Sequence, residues 1–159
     1  MRFERAILPN LLSWKNARNR KPLVLLGARQ VGKTSVLKEF GVQNFENVAY
    51  FNFDRNSDIQ SFFQDTKDAK SIIKNLALLN GQPIIAEKTL VIFDEIQECR
   101  EALNSLKYFQ EEASEYHIAC AGSLLGITLG HESSFPVGKV NFLEMHPLTF
   151  SEYLKGVST

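Results

Sequence analysis

The sequence predicts an α/β fold, with a mainly parallel β-sheet covered by helices on both faces. Three observations support this prediction. Short apolar stretches alternate along the chain with stretches of helical periodicity. The strand-like stretches are apolar at nearly every position, as expected for strands buried on both faces. A glycine-containing loop joins the first predicted strand to a helix, and no internal repeat interrupts the alternation.

Length and composition indicate one globular domain. A chain of 159 residues can bury about two-thirds of its unfolded surface. Lys plus Arg and Asp plus Glu both total 18, and this balance argues against a surface built mainly to coat nucleic acid. Neither a signal peptide nor an apolar run of membrane-spanning length is visible. We therefore expect a cytoplasmic protein with no membrane association, in which Cys99 and Cys120 are reduced thiols.

The first 21 residues are predicted to form a helical segment that precedes the main domain, 22–159. Apolar residues recur there at helical spacing, with an interruption expected near Pro9. A basic cluster follows, and it is interpreted as a solvated helix end, although a contact with nucleic acid or a neighbouring subunit stays open. Its members are Lys15, Arg18, Arg20 and Lys21.

The loop after the first predicted strand, 23–26, fits the phosphate-loop pattern G-x-x-x-x-G-K-[ST] at every required position. A loop of this kind directs backbone N–H groups and a helix N-terminus towards the phosphates of a nucleotide. Lys33 would reach the β- and γ-phosphates, and Thr34 would offer its hydroxyl to Mg²⁺. The predicted nucleotide-binding residues are Gly27, Ala28, Arg29, Gln30, Val31, Gly32, Lys33, Thr34 and Ser35.

The next elements follow from local patterns. A helix leads out of the loop, with Gly41 expected as its C-cap, and a second strand covers 47–54. Ser57 or Asp58 is expected to cap a third helix, and a fourth helix is expected to end near Gly81.

The remaining elements continue the alternation of strand and helix. A third strand is predicted at 89–93, a long helix at about 101–115, a fourth strand at 117–122 and a fifth at 140–145. The pattern T-x-x-E at Thr149 and Glu152 predicts the beginning of one more helix.

The third predicted strand ends in two acids, Asp94 and Glu95, as in a Walker B element. Ligands of open α/β sheets gather at the carboxyl ends of the strands, so Asp94 is expected near the phosphate loop, holding Mg²⁺ through water. Glu95 would orient and deprotonate the water that attacks the γ-phosphate. An extra strand between the two motifs favours a P-loop ATPase with a catalytic glutamate over a small GTPase or a nucleotide kinase.

Four further residues have competing interpretations. Ser123 is either a polar sensor of the γ-phosphate or a turn serine. Asn52 would restrain Glu95 until a ligand binds. Lys139 is either a residue that reaches a neighbouring subunit's nucleotide or a surface lysine. Arg29 is expected to point outward, towards a partner or a phosphate.

The sequence resembles the prokaryotic AAA-type ATPases whose full-length members carry a C-terminal domain of unknown function. The resemblance rests on the phosphate loop, on Asp94-Glu95-Ile96-Gln97, on Ala121-Gly122-Ser123 and on Pro147-Leu148-Thr149-Phe150-Ser151-Glu152-Tyr153-Leu154. It implies a three-layer α/β/α P-loop fold with a five-stranded sheet of order 5-1-4-3-2. It also implies catalytic roles for Lys33, Glu95 and Ser123, with Thr34 and Asp94 at the metal.

Two departures from the family stand out. Gly138-Lys139 replaces the usual Gly-Arg, which keeps the charge but loses the planar guanidinium. The chain also ends where a helical lid and the further domain are expected, so we expect either a truncated chain or an unusually short member of the family.

Three functions remain in competition at this stage. The first is an ATPase that uses Mg²⁺, cleaves the β–γ phosphoanhydride of ATP and switches a protein partner or its own absent C-terminal domain. The second is a nucleotide-responsive interaction module with negligible hydrolysis. The third is a DNA-associated loader or initiator ATPase, motivated by the basic cluster. A homo-oligomer is compatible with all three.

Overall fold

The computed structural model describes residues 6–27, 32–54, 56–123 and 138–146. These contain five strands: β1 (Leu23–Leu26), β2 (Asn47–Asn52), β3 (Thr89–Asp94), β4 (His117–Gly122) and β5 (Asn141–Glu144). Every neighbouring pair is parallel, and the order across the sheet is β2-β3-β4-β1-β5. Read from the other edge this is 5-1-4-3-2, so the predicted fold class and strand order are confirmed.

Helices cover both faces of the sheet. They are α1 (Leu8–Asn16), α2 (Lys33–Asn44), α3 (Ser57–Asp65), α4 (Ala69–Asn80) and α5 (Arg100–Glu112), with a short 3₁₀ turn at Ile96–Glu98. Alternate residues of β3 enter different cores because successive strand side chains point to opposite faces. Leu90 and Ile92 pack with α1 and α2, whereas Val91 and Phe93 pack with α3, α4 and α5. The result is the expected three-layer arrangement.

Helix boundaries differ from the sequence predictions in small, explicable ways. Pro9 does not interrupt α1 but lies in its first turn, where the missing N–H costs no hydrogen bond. The N-cap of α3 is Asn56, whose side-chain oxygen accepts from the Asp58 N–H at 3.0 Å, and not Ser57 or Asp58. Gly81 is left-handed and ends α4, as predicted.

The segment between α1 and β1 is tied to the sheet by specific hydrogen bonds. Trp14 Nε1 donates to the carbonyl of Lys21 at 2.7 Å, and the Lys21 N–H donates to Asn141 Oδ1 at 3.0 Å. Arg20 donates to the carbonyl of Ser114 at 2.7 Å and lies 3.7 Å from a Glu87 carboxylate oxygen. Two members of the predicted basic cluster therefore have internal partners.

Some predicted features fall outside the described residues. These are Ala28, Arg29, Gln30 and Val31 of the phosphate loop, and the stretch 147–154 with its predicted helix cap. Within the described ranges, no helix has the length and apolar character needed to span a membrane.

Gly41 was expected to end α2, and this prediction is wrong. The helix continues to Asn44 and is capped at Phe45. A β-carbon at Gly41 would lie 2.5 Å from Val48 Cγ2 and 3.0 Å from Leu90 Cδ2. The glycine therefore permits a close approach between α2 and the sheet, which a pattern of local residues does not reveal.

His117 lies buried at the beginning of β4 and packs edge-on against two aromatic rings. Its ring centroid is 5.7 Å from that of Trp14 and 5.0 Å from that of Phe45. Burial, with Arg20 and Lys15 nearby, lowers its pKa from 6.5 to about 4. The imidazole therefore stays neutral in the folded protein across the pH range in which the unfolded chain takes up a proton.

We predict that Gly41→Ala destabilises the fold by about 1–2 kcal/mol. The steric cost of an added methyl group in a packed interior exceeds the gain of up to about 1 kcal/mol in helix propensity. Chemical denaturation measures the free energy of unfolding. Val42→Ala is the matched control, because Val42 is 75% exposed at the next helix position; equal stability of wild type and Gly41→Ala would contradict the close-approach interpretation.

We also predict that His117 makes stability fall on acidification between pH 6.5 and about 4. In that window His117 is protonated in the unfolded state and neutral in the folded state. The free energy of unfolding therefore falls by about 1.4 kcal/mol for each pH unit of acidification. His117→Gln should flatten the curve of unfolding free energy against pH over this window, measured by urea denaturation. His146→Gln, at an exposed histidine, is the control; identical slopes for His117→Gln and wild type would rule out the prediction.

Candidate active site

The carboxyl ends of three adjacent strands bring the predicted motifs together. β4 lies between β1 and β3, and the register pairs Leu26 with Gly122 and Asp94 with Ala121. Gly27, Asp94 and Ser123 therefore lie at one edge of the sheet, directly at or after the ends of these strands. Open α/β sheets bind their ligands at this edge.

The N-terminus of α2 has the features of an anion-binding helix end. The helix begins at Lys33, and the preceding Gly32 is left-handed, with φ 90° and ψ 20°. Gly32 supplies no side-chain cap here, and the first turn contains no acidic residue. The N–H groups and the partial positive charge of this helix end suit a phosphate.

Lys33 is buried, with 8% of its surface exposed, and its ammonium donates to the carbonyl of Gly27 at 2.8 Å. This bond joins the first and the seventh residues of the phosphate-loop motif. A buried ammonium at a helix N-terminus adds positive charge to a place that is already electropositive. Both features favour an anionic ligand over a neutral one.

Thr34 and Asp94 are in direct contact across the sheet edge. Thr34 Oγ1 donates to Asp94 Oδ2 at 2.9 Å, and Asp94 Oδ1 accepts from the Glu95 N–H at 3.0 Å. The hydroxyl of Tyr50 also donates to Asp94 Oδ2. Because the Thr34 hydroxyl uses its proton towards Asp94, its oxygen lone pairs suit a cation, and hydroxyl with carboxylate is a donor set that fits Mg²⁺.

Glu95 has an unusual backbone and a defined partner. Its φ of 55° and ψ of 45° place it in the left-handed region, which is uncommon for residues other than glycine. Gln97 Nε2 donates to Glu95 Oε2 at 2.7 Å. Asn52, expected to restrain Glu95, instead donates to the Tyr50 hydroxyl at 3.3 Å and accepts from the Asp54 N–H at 2.8 Å. The hydrogen bond expected from Asn52 is made by Gln97.

The remaining candidates differ in position. Ser123 directly follows β4 and is half-buried at the same sheet edge, and Ser35 is exposed in the first turn of α2. Lys139 Nζ lies 3.3 Å from Glu111 Oε1, in an ion pair whose side chains are both about half exposed. The contacts of Lys139 match the surface-lysine interpretation.

Other chemistries receive little support from the described residues. No group of three or more His, Cys, Asp and Glu side chains there could hold a metal ion. Both cysteines are buried and unbridged, and burial raises the pKa of the Cys99 thiol to about 11 and that of Cys120 still further. Neither thiol has the low pKa of a reactive cysteine.

Sequence reasoning missed two residues of this site, Tyr50 and Gln97. Both are joined by hydrogen bonds to the acids of the second motif. Tyr50 lies in a different strand, so only the register between β2 and β3 relates it to Asp94. Gln97 is two residues beyond Glu95, in a stretch that carries the family resemblance, but the sequence indicated no role for its side chain.

Fold and site together define a P-loop nucleotide-binding protein. A family model described as "AAA domain" matches residues 19–154, and the chain belongs to this family. It is accordingly a P-loop domain of the AAA type. No curated protein matches it significantly.

Solved structures with a similar fold include the "RuvB Holliday junction branch migration motor" of Thermotoga maritima, with a TM-score of 0.51 and 13% identity. A lysine-to-arginine mutant of the same protein matches with a TM-score of 0.52 and 12% identity. The similarity covers 94% of this chain and 48% of each of those chains, so this chain spans about half their length. At this level of identity the likeness concerns the fold alone.

Proposed function

We propose that this chain hydrolyses ATP with the help of Mg²⁺ and uses nucleotide binding and turnover to switch a protein partner or an attached domain. The observation that carries the proposal is the 2.9 Å hydrogen bond between Thr34 and Asp94, at the helix end that begins with buried Lys33. A hydroxyl and a carboxylate thus meet at a helix end that also bears an ammonium, where a nucleotide's phosphates would lie.

The proposed binding mode uses this chain's own groups. The first N–H groups of α2 and the Lys33 ammonium would hold the β- and γ-phosphates, with Lys33 giving up its bond to the Gly27 carbonyl. Thr34 would hold Mg²⁺ directly and Asp94 would hold it through water. Mg²⁺, when bound, offsets negative charge on the phosphate oxygens.

The proposed reaction is attack of water on the γ-phosphorus. Glu95 accepts a proton from the water as the new phosphorus–oxygen bond forms, and the bond to the β–γ bridging oxygen breaks, releasing ADP and phosphate. Ser123 would orient the attacking water or the γ-phosphate from the end of β4. Gln97 donates to Glu95 Oε2 at 2.7 Å. A carboxylate has two oxygens, so Glu95 could keep this bond and accept the proton at Oε1.

A second candidate function is a nucleotide-responsive interaction module with negligible turnover. The hydrogen bond from Gln97 to Glu95 favours it, because it engages the group on which catalysis depends. Binding would then change contacts with a partner without a chemical step. The two candidates share the nucleotide site and differ only in the rate of phosphate release.

The described residues of the basic cluster give no specific support to a DNA-binding function. Arg20 and Lys21 of the basic cluster donate hydrogen bonds to backbone carbonyls, and Lys15 lies 5.0 Å from the centroid of the Phe45 ring. These contacts favour the structural interpretation of the cluster.

We predict that Lys33→Ala weakens ATP binding by on the order of 100-fold or more, because a buried charge-assisted contact to phosphate is lost. Isothermal titration calorimetry measures the affinity. Lys74→Ala removes an exposed lysine of α4 and controls for the change in net charge. Equal ATP affinities for wild type and Lys33→Ala would refute the site assignment.

We predict that Glu95→Gln keeps the affinity for ATP and lowers phosphate release by about 10²–10⁴-fold, because the amide cannot accept the proton of water. Phosphate release followed over hours gives the rates, with Glu98→Gln as the control in the same 3₁₀ turn. If wild type and Glu95→Gln bind ATP but release phosphate at the same background rate, the interaction-module function is favoured.

A further inference from the structure

Among the described residues, three donate hydrogen bonds to the carboxylate of Asp94, and one of these donors belongs to no motif. Thr34 and the Glu95 N–H come from the two motifs themselves. The third donor is the hydroxyl of Tyr50, in β2. It shares the oxygen Oδ2 with Thr34, so Tyr50 and Thr34 approach Asp94 at the same atom. Tyr50, which is not among the predicted site residues, therefore donates a hydrogen bond to the carboxylate that is expected at the metal.

The backbone register explains how Tyr50 reaches this carboxylate. β2 pairs in parallel with β3, and Asn52 is opposite Asp94. Tyr50 lies two residues before Asn52, on the same face of the sheet, and its long side chain spans the distance to Asp94. Residues before and after Tyr50 in the strand point to the other face, so no adjacent position could replace it.

The direction of the hydrogen bond is fixed by the neighbours of the Tyr50 hydroxyl. An ionised carboxylate can only accept, and the Asn52 Nδ2, 3.3 Å away, can only donate. The tyrosine must therefore donate to Asp94 while it accepts from Asn52. Asn52 thus donates to Tyr50, and Tyr50 donates to Asp94, so that the two hydrogen bonds form a chain that ends at the carboxylate.

The side chain of Lys38 lies over one face of the Tyr50 ring. The ammonium of this exposed α2 residue lies 3.9 Å from the ring centroid, within range of a cation–π interaction. Lys38 is one turn after Thr34 on the same helix, so α2 contacts Asp94 directly through Thr34 and indirectly through Tyr50. The ring is thus supported on its face by Lys38 and at its hydroxyl by Asn52.

We propose that Tyr50 is a positioning residue for Mg²⁺: it holds the Asp94 carboxylate against Thr34 and thereby raises the affinity of the nucleotide complex for the cation. This inference rests on the proposed function. Groups that orient a metal-binding carboxylate by hydrogen bonds commonly affect metal affinity by about 10- to 100-fold.

The test uses Tyr50→Phe, which removes the hydroxyl and keeps the ring under Lys38. ADP binding is measured by calorimetry in EDTA and over a Mg²⁺ series, which gives an apparent Mg²⁺ affinity without any turnover. We expect unchanged ADP affinity in EDTA and an apparent Mg²⁺ affinity lowered about tenfold. Tyr116→Phe, at a half-buried tyrosine that precedes β4, is the matched control and should equal wild type.

A second variant, Lys38→Met, keeps the hydroxyl and removes the cation over the ring. We expect a smaller loss of Mg²⁺ affinity than in Tyr50→Phe, in the same direction. Thermal melts accompany every measurement, and a Tm close to that of wild type is expected for both variants.

Two results would overturn the inference. Equal apparent Mg²⁺ affinity in wild type and Tyr50→Phe would remove the positioning role while leaving the proposed function intact. A parallel loss of ADP affinity in EDTA would show general damage to the nucleotide site instead of an effect on the metal. Wild type that binds no ADP, with or without Mg²⁺, would refute the proposed function itself.

Discussion

The hydrogen bond between Thr34 and Asp94 depends on most of the rest of the structure. Its two residues are sixty positions apart, one in the first turn of α2 and the other at the end of β3. They meet because β4 separates β1 from β3 by one strand, and because all three strands run in parallel and end at one level. An antiparallel β3 would have placed its acid at the opposite edge of the sheet. The strand order is therefore a condition for the site and not only its scaffold.

The features that were predictable from sequence are those encoded by residues close together in the chain. The phosphate-loop pattern located the beginning of α2 and the buried Lys33, since strand, loop and helix follow one another within about a dozen residues. The acid pair after an apolar stretch located the end of β3 in the same way. Strand order came from the family resemblance, because periodicity alone does not order strands in a sheet.

The features that were missed depend on contacts between distant elements. Gly41 was read as a helix end because glycine commonly has that role, whereas its use here depends on Val48 and Leu90. Tyr50 looked like any aromatic strand residue until the register placed its hydroxyl on Asp94. Gln97 was missed for a related reason: Glu95 has a left-handed backbone, and the side chain of a residue two positions later donates to its carboxylate.

The close approach at Gly41 has a consequence for the far end of its helix. Gly41 is eight residues after Lys33, which corresponds to roughly 12 Å along the helix axis. A side chain at this point would push one end of α2 from the sheet, and a rigid helix converts such a displacement into a tilt. The first turn would then move relative to Asp94, to which Thr34 is hydrogen-bonded. The distance between the first turn of α2 and Asp94 at the end of β3 thus depends in part on the missing side chain of Gly41, a residue far from the proposed nucleotide site.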